Sequence, residues 1–225
     1  MGKGAPLRWV ENRWLGRYLC GRGFEIGALW RRFPVPGRAR VWCVDRLPSE
    51  QLEQFYRDQV QAPVVRPDLV ADAEQLPVAA ASLDFIIASH VLEHMAFPLA
   101  ALRGWYEALT PGGALLLKVP DLRYTFDRRR QRTPLSHLIA EHEHPERFDW
   151  RAHYAEWVEK VVGTAPGDSR FEPTLRVLSE GRHSIHFHAW IDEDLREMVD
   201  YTRTAWGLRW RAKVFWGAHF YRKET

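Results

Sequence analysis

The 225-residue sequence contains only two cysteines and no long apolar run. Cys20 lies in a predicted helix and Cys43 in a predicted buried strand, which is typical of reduced structural thiols in a cytoplasmic protein. No stretch reaches the length of a membrane-spanning helix, and no secretory apolar core follows residues 1–6. The sequence therefore predicts a cytoplasmic protein without a membrane-bound segment.

The sequence also lacks a concentration of positive charge. Lys and Arg number 32 and Asp and Glu 29, which gives a net charge of +3. Acidic residues are interspersed with the basic ones, apart from short clusters such as residues 128–130. Proteins that bind a phosphate backbone carry a stripe of Lys and Arg on one face. We therefore predict a small-molecule substrate and no nucleic-acid partner.

The glycines of a dinucleotide-binding loop are missing as well. Residues 24–29 and 41–46 are short apolar runs one crossover apart, as in the opening half of a doubly wound α/β sheet. Gly27 ends the first strand, but no glycine occurs in residues 28–32, where the dinucleotide pattern has two more. Asp45 ends the second strand with a carboxylate that can accept both hydroxyls of a ribose. The pattern indicates an adenosine-type ligand.

Five motifs follow one another in unbroken order from about residue 21 to residue 119. They are Glu25-Ile26-Gly27; Asp45; Ala71-Asp72-Ala73-Glu74-Gln75-Leu76-Pro77; Leu83-Asp84-Phe85-Ile86-Ile87-Ala88-Ser89-His90-Val91-Leu92-Glu93-His94; and Leu109-Thr110-Pro111-Gly112-Gly113-Ala114-Leu115. This succession resembles the class I S-adenosylmethionine-dependent methyltransferases. The resemblance implies an α/β, Rossmann-like fold with a mostly parallel seven-stranded sheet, an antiparallel C-terminal strand, and S-adenosylmethionine as cofactor.

The resemblance also implies a set of cofactor-binding residues. These are Glu25, Gly27, Ala28, Asp45, Arg46, Asp72, Ala73 and Ser89. Asp45 would bind the ribose and Asp72 the adenine amino group. The alternative for Asp72 is an aspartate that caps a turn. Pro34, Pro36 and Gly37 break the chain after the first strand, so we expect a short helix or a loop in place of the usual first crossover helix.

Apolar spacing and helix breakers predict the remaining elements. The predicted helices are residues 7–19, ended by Gly21 and Gly23; 50–59, capped by Ser49; 98–109; and 192–206. The predicted strands are residues 69–71, 83–88, 114–119, 210–216 and 218–223, with tight turns at residues 111–113 and at Gly217.

Regular alternation of strands and helices stops at Pro120, which predicts three regions. Residues 1–120 form the cofactor-binding half of a Rossmann-like domain, and residues 191–225 complete the same domain with a helix and a strand pair. Residues 121–190 are too apolar to be disordered and contain a helical apolar pattern in residues 154–162. We interpret them as a mainly helical lid that binds the substrate.

Three histidines are candidate catalytic residues. The resemblance places His90 beside the transferable methyl group, where an imidazole could take a proton from the acceptor; the alternative is a hydrogen-bonded turn histidine. His186 and His188 alternate with Ile185 and Phe187, so they point to the same face of an extended chain. His94, in contrast, is interpreted as structural.

Metal binding is the less favoured interpretation of the histidine pairs. His186 with His188, and His142 with His144, could each supply two ligands. The remaining ligands have no recognisable spacing, and methyl transfer from a sulfonium needs no metal. The sequence therefore predicts no metal, and substrate binding or proton transfer is preferred for these pairs.

Residues 120–127 leave the fifth predicted strand at the ligand edge. Together with the string at residues 186–190, they resemble a subgroup of small bacterial methyltransferases often associated with glycan or secondary-metabolite biosynthesis. Asp121, Arg123 and Tyr124 are candidate substrate-binding residues; the alternative is a surface ion pair between Arg123 and Asp127. The predicted function is methylation of a small polar acceptor at oxygen. The alternatives are methylation at nitrogen, or a non-catalytic binding protein on this fold.

Overall fold

The computed structural model describes residues 15, 17–35, 37–57, 63–215 and 218–223, with side chains described up to residue 211. Most of the helix predicted over residues 7–19, and the turn predicted at Gly217, lie outside these residues. The chain divides into two compact units. The sheet unit comprises Met1–Ser89, Leu102–Lys118 and Leu208–Thr225, and the helical unit comprises His90–Ala101 and Val119–Gly207. The predicted domain boundaries at residues 120 and 190 stay predictions.

The sheet unit is built on a seven-stranded sheet in the order β3-β2-β1-β4-β5-β7-β6. The strands are β1 (Gly21–Ile26), β2 (Ala39–Asp45), β3 (Leu69–Val70), β4 (Leu83–Ser89), β5 (Leu109–Lys118), β6 (Trp210–Phe215) and β7 (Ala218–Lys223). Strands β1 to β5 pair in parallel, and β7 runs antiparallel to both β5 and β6. The predicted fold class is confirmed.

Strand β4 lies at the centre of the sheet because its side chains are apolar on both faces. Phe85, Ile86, Ile87 and Ala88 have no accessible surface. Such continuous burial is characteristic of parallel strands covered on both faces. The strand pairs with β1 on one side and β5 on the other, and its last residue, Ser89, comes out at the carboxyl edge of the sheet.

The prediction that Gly21 and Gly23 end a helix is wrong, because both glycines lie within β1. A Cβ atom on Gly23 would stand 2.3 Å from the ring of Phe85, and one on Gly21 would stand 2.2 Å from Oδ2 of Asp84. Glycine is therefore required for the close approach of β4. The helix prediction for Cys20 is also wrong, because this residue is exposed in irregular structure; Cys43 is buried in β2, as predicted.

A loop replaces the first crossover helix, as expected from its prolines. Residues 27–35 contain no helix. The buried carboxylate of Glu25 accepts a hydrogen bond from Phe33 N–H at 2.5 Å, and Leu29 O accepts one from Val65 N–H at 2.6 Å. Burial raises the pKa of Glu25, although the Phe33 N–H and the charge of Arg32 oppose that rise. Glu25 therefore holds the loop that follows its own strand.

Two predicted boundaries are wrong for local reasons. Helix α1 (Ser49–Phe55) begins after Pro48, and Ser49 is its first helical residue rather than its cap; no side chain caps the helix. The predicted turn at residues 111–113 lies inside β5. Leu83 pairs with Leu109 and Phe85 pairs with Ala114, so Asp84 of β4 alone faces residues 110–113. Gly112 supports this bulge with a φ of +80°. Helix α2 (Pro98–Ala108) precedes β5 almost as predicted.

The helical unit confirms that the insertion is mainly helical. Its helices are α3 (Leu135–Glu143), α4 (Trp150–Trp157), which continues into a π-helical turn (Val158–Val162), α5 (Phe171–Glu180) and α6 (Asp192–Trp206). Helix α4, the π-helical turn and α5 contribute to an apolar core that consists of Ala96, Phe148, Tyr154, Val158, Phe171, Leu175, Ile185 and Phe187. Helix α6 has the predicted bounds. None of the helices in the described ranges combines the length and apolarity needed to span a bilayer.

Candidate functional site

Four strands of the sheet unit end side by side at one edge, which we call the carboxyl edge. Ile26 of β1 is aligned with Val44 of β2 and Ala88 of β4, and Val44 is aligned with Leu69 of β3. Gly27, the residue after β1, has a φ of +64° and donates its N–H to Val44 O at 2.9 Å. The strand ends that carry the predicted cofactor residues Gly27, Asp45, Asp72 and Ser89 are therefore brought together. Ala28, Arg46 and Ala73 directly follow three of these residues in the chain.

Asp45 presents a partly buried carboxylate at this edge. Its Oδ1 accepts a hydrogen bond from Arg46 N–H at 2.8 Å. Burial raises the pKa of Asp45, while the N–H groups of Arg46 and Leu47 and the charge of Arg46 oppose the rise. The backbone therefore orients the carboxylate, and an additional donor such as a hydroxyl group would satisfy it further.

Asp72 and Ala73 form the turn that follows β3. Asp72 Oδ1 accepts a hydrogen bond from Glu74 N–H at 2.8 Å, so one of its two oxygens caps the turn. Ala73 O accepts a hydrogen bond from the indole Nε1–H of Trp105 at 2.8 Å, and Trp105 has no accessible surface. The turn is thus fixed from beneath by a buried tryptophan on α2, which gives Asp72 a defined position.

A buried hydrogen-bond network in the helical unit contains one of the candidate catalytic histidines. His186 Nδ1 lies 2.7 Å from Asp127 Oδ2, and because a carboxylate only accepts, His186 donates. Arg130 NH1 donates to Asp127 Oδ1 at 3.2 Å and to His186 O at 2.7 Å. Burial alone would raise the pKa of Asp127, but His186 and Arg130 outweigh it, so the pKa lies below its ordinary value. The alternative in which Asp127 pairs with Arg123 is wrong.

His90 and His188 have opposite exposures. His90 directly follows Ser89, its side chain is 48% exposed, and its Nδ1 lies 3.5 Å from Oε1 of the buried Glu93. His188 has no accessible surface and stacks on Trp190, and burial lowers its pKa to about 3. A side chain without accessible surface does not contact a dissolved acceptor in this conformation. We therefore do not include His188 in the proposed catalytic site.

His188 belongs to a second histidine group, which also contains His137, Glu141 and His153. Glu141 Oε1 accepts hydrogen bonds from Nε2 of His137 at 2.9 Å and from Nε2 of His153 at 2.8 Å. Burial alone would raise the pKa of Glu141, but these hydrogen bonds reverse the effect and lower it to about 2. The group cross-links α3, α4 and the segment around residue 188, while Glu141 Oε2 and His188 Nδ1 have no hydrogen-bond partner among the described residues.

The predicted substrate-binding residues lie on the surface of the helical unit. Arg123 Nε and NH2 donate to the carboxylate of Asp121 at 2.6–3.2 Å, which lowers the pKa of Asp121. Tyr124 is 82% exposed, and the guanidinium of Arg123 lies 5.5 Å from the centre of its ring. Hydrogen-bonding groups and an aromatic face are thus available to a polar ligand.

The sequence interpretation missed Glu93, Asp127 and Arg130. Asp127 meets His186 across 59 residues of chain, and Arg130 meets Phe187 O across 57. No periodic pattern links residues that far apart. The available signal was the run of three arginines at residues 128–130 directly after Asp127, of which only Arg130 is buried.

Residues 18–117 match a family model described as a methyltransferase domain. The match spans β1 to β5 and so contains the entire carboxyl edge. Residues 18–117 therefore form a methyltransferase domain. S-adenosylmethionine is accordingly its methyl donor.

A curated relative of the methyltransferase is an uncharacterised 37.1 kDa protein of a Streptomyces fradiae transposon, TN4556, which is 34% identical over 102 residues. That alignment covers 45% of this chain and 28% of the relative, so the chain spans about a quarter of the relative's length.

Solved structures with a similar chain trace include two bacterial proteins. A putative methyltransferase from Bacillus halodurans is 12% identical, with a TM-score of 0.49 and coverage of 96% of this chain and 98% of that one. A possible histamine N-methyltransferase from Thermotoga maritima is 16% identical, with a TM-score of 0.48 and coverage of 97% and 96%. Similarities of this size assign no role to individual residues.

The carboxyl edge of the methyltransferase fits an adenosine-bearing cofactor. Gly27 has no side chain, so the backbone turns at the end of β1 and leaves room for a ligand to approach. Asp45 is aligned with Val70 at the end of β3, where its carboxylate would be able to accept from ribose hydroxyls, and Oδ2 of Asp72 takes no part in the hydrogen bond to Glu74 N–H. Glu25 holds the adjoining loop.

We expect Asp45→Ala to weaken the binding of S-adenosylmethionine by about tenfold to a hundredfold. A hydrogen bond to a charged group contributes roughly 1.5–3 kcal/mol, and this carboxylate is already oriented by Arg46 N–H. Calorimetric titration of the full chain measures the affinity. Asp200→Ala, an exposed aspartate of α6, is the matched control and should bind like the parent. Equal affinities in both variants would contradict the assignment.

Proposed function

We propose that the methyltransferase moves the methyl group of S-adenosylmethionine to a hydroxyl oxygen of a small polar acceptor, and that His90 accepts the hydroxyl proton. The proposal rests chiefly on the position and exposure of His90, which immediately follows the last residue of β4 at the carboxyl edge. His90 is joined by a peptide bond to Ser89, so it directly follows one of the strand ends that we propose for the cofactor.

The backbone of His90 supports a functional role. His90 has a φ of +57°, a left-handed conformation that is uncommon for residues with a side chain. Such conformations persist where the surrounding structure enforces them, and they occur frequently at active sites. Oε1 of the buried Glu93 lies 3.5 Å from Nδ1, so Nε2 is the nitrogen that we assign to the substrate.

An oxygen acceptor explains why a base is needed. An alcohol is a weak nucleophile until its proton is removed. The positively charged sulfur of the methyl donor, in contrast, is already a good leaving group. In the proposed step the acceptor oxygen forms a bond to the methyl carbon and the carbon–sulfur bond breaks. The electron pair of that bond stays on sulfur, and the hydroxyl proton moves to His90. The products are the methyl ether and S-adenosylhomocysteine.

The acceptor class is supported by the surface residues of the helical unit. Asp121, Arg123 and Tyr124 offer charged donors and acceptors beside an exposed aromatic ring, a combination that suits a polyhydroxylated or phenolic molecule. We therefore propose a glycan-related or secondary-metabolite hydroxyl as the acceptor. The free thiols Cys20 and Cys43 support a reducing compartment, and we place the reaction in the cytoplasm.

The test is a transfer assay with methyl-labelled S-adenosylmethionine over paired acceptors that differ only in carrying a hydroxyl or an amino group. We expect label in the hydroxyl member of at least one pair and none in its amino partner. Label confined to amino members would replace the proposal with N-methylation. Binding of S-adenosylmethionine and its demethylated product without transfer to any acceptor would favour a binding protein.

A further inference from the structure

We propose that the helical unit binds a divalent transition-metal ion between Glu93, His94 and His186. A carboxylate oxygen of Glu93 and one imidazole nitrogen from each histidine all lie within 4.8 Å of one another. The rings of His94 and His186 stand edge to face, with their centres 4.6 Å apart. Glu93 and His94 share one turn of 3-10 helix (Leu92–His94), but His186 lies far along the chain, so no sequence spacing reveals the group.

Glu93 is the strongest indication of a ligand. The residue is 1% exposed, and neither carboxylate oxygen has a hydrogen-bond partner among the residues that the structure describes. Nδ1 of His90 lies 3.5 Å from Oε1 of Glu93 without forming a hydrogen bond to it. Burying a carboxylate without compensation costs several kcal/mol, and buried carboxylates therefore pair with cations or coordinate metals. A metal ion would supply the missing compensation.

Both histidines have the outer contacts that metal-binding histidines need. His94 Nδ1 donates to Ile185 O at 2.9 Å, and His186 Nδ1 donates to Asp127 Oδ2 at 2.7 Å. In the neutral ring with its proton on Nδ1, Nε2 of each histidine has the lone pair that can coordinate a metal; Ser184 Oγ also lies 2.9 Å from Nδ1 of His94. A carbonyl or carboxylate on the other ring nitrogen is the usual support for a coordinating histidine. Arg130 adds a further layer, since it binds Asp127 and the carbonyl of His186.

The position of Glu93 is also fixed by its backbone. Glu93 O accepts hydrogen bonds from Phe187 N–H at 2.8 Å and from His188 N–H at 3.4 Å. The turn that carries Glu93 and His94 is therefore tied to the segment that carries His186. A site built on such a support loses little conformational entropy when an ion binds.

The donor set selects the class of ion. Two imidazole nitrogens and one carboxylate oxygen suit Zn²⁺ and similar first-row ions, whereas Mg²⁺ and Ca²⁺ prefer oxygen alone. Ligand atoms in a tetrahedral zinc site lie roughly 3.4 Å apart. Side-chain rotations that move the ligand atoms by about an ångström would therefore bring them to the distances of a zinc site. Three protein ligands leave one position for water or for an oxygen atom of a small molecule.

The second histidine group provides an internal comparison. His137, Glu141 and His153 also bring ligand atoms close together. There, however, both histidines already hydrogen-bond to the same carboxylate oxygen at 2.8–2.9 Å. The close distances are explained by those bonds, and we propose no ion at this group.

Zinc titration of the full chain tests the site. The protein is purified without a histidine tag, dialysed against a chelator and titrated calorimetrically with Zn²⁺. We expect one equivalent to bind to the parent and a loss of at least a hundredfold in affinity in Glu93→Gln and in His94→Gln. Asp127→Asn should weaken binding about tenfold to a hundredfold, because it removes the outer support of His186. Co²⁺ should give the visible absorption of a low-symmetry site in the parent and in His137→Gln, but not in Glu93→Gln or His94→Gln.

His137→Gln is the matched control, because it removes a histidine from the other group and should still bind one equivalent. Circular dichroism confirms that each variant is folded, and a misfolded variant is replaced by the other ligand variant. Absence of stoichiometric Zn²⁺ binding in the parent overturns the proposal. Equal losses in Glu93→Gln and His137→Gln also overturn it. None of these measurements requires methyl transfer, so their outcome tests the metal site separately from the proposed function.

Discussion

Replacing Arg130 by methionine should lower the free energy of unfolding by about 3–5 kcal/mol, the usual cost of removing one member of a buried ion pair. Arg130 NH1 binds Asp127, NH2 binds Glu156 at 2.7 Å, and the two groups also bind the carbonyls of residues 186 and 187. Methionine keeps most of the apolar stem but leaves the carboxylate of Asp127 and two carbonyl groups without this donor.

Urea unfolding followed by circular dichroism measures the change. Arg129→Met is the control, because Arg129 is the preceding residue in the chain and is exposed, and we expect it to change the free energy of unfolding by less than about 0.5 kcal/mol. Equal stabilities for the two variants would show that the buried network contributes nothing to folding. A double variant with Asp127→Asn should cost less than the sum of the two single changes, since the partners share one interaction.

The fold of the sheet unit could be predicted because its signals are local. Apolar runs identified β1, β2 and β4, and in the helical unit the spacing of apolar residues likewise gave α6 its observed bounds. Residues that follow parallel strands meet at one edge whatever the side chains elsewhere, so Gly27, Asp45 and Asp72 could be placed together before any coordinates.

The predictions that are wrong concern residues whose environment is determined by residues far away in the sequence. Gly23 was interpreted as a helix end, but it is required by the ring of Phe85, which packs against it from β4. Alternation predicted that His186 and His188 share a face, yet each is buried among different partners, Asp127 for one and Trp190 for the other. These contacts are tertiary, and local spacing carries no information about them.

Exchange of His90 for glutamine should lower turnover by about a hundredfold or more while leaving the affinity for S-adenosylmethionine unchanged. General-base catalysis contributes roughly 10²–10⁴-fold, and glutamine can hydrogen-bond but cannot accept the acceptor's proton. Steady-state kinetics with a hydroxyl acceptor, together with calorimetry for the cofactor, separates the two effects. His144→Gln is the matched control, an exposed histidine of the helical unit that should retain full turnover.

The left-handed backbone of His90 could produce a false positive, because glutamine tolerates a φ of +57° less well than histidine does. His90→Asn removes this ambiguity, since asparagine adopts the left-handed conformation readily and also lacks a basic nitrogen. A hundredfold loss in both variants supports His90 as the base. Normal turnover in His90→Asn with a loss in His90→Gln would assign the effect to the backbone and refute the base. Zinc stoichiometry, measured on the same preparations, should stay at the parent value, because Glu93, His94 and His186 are intact in both variants.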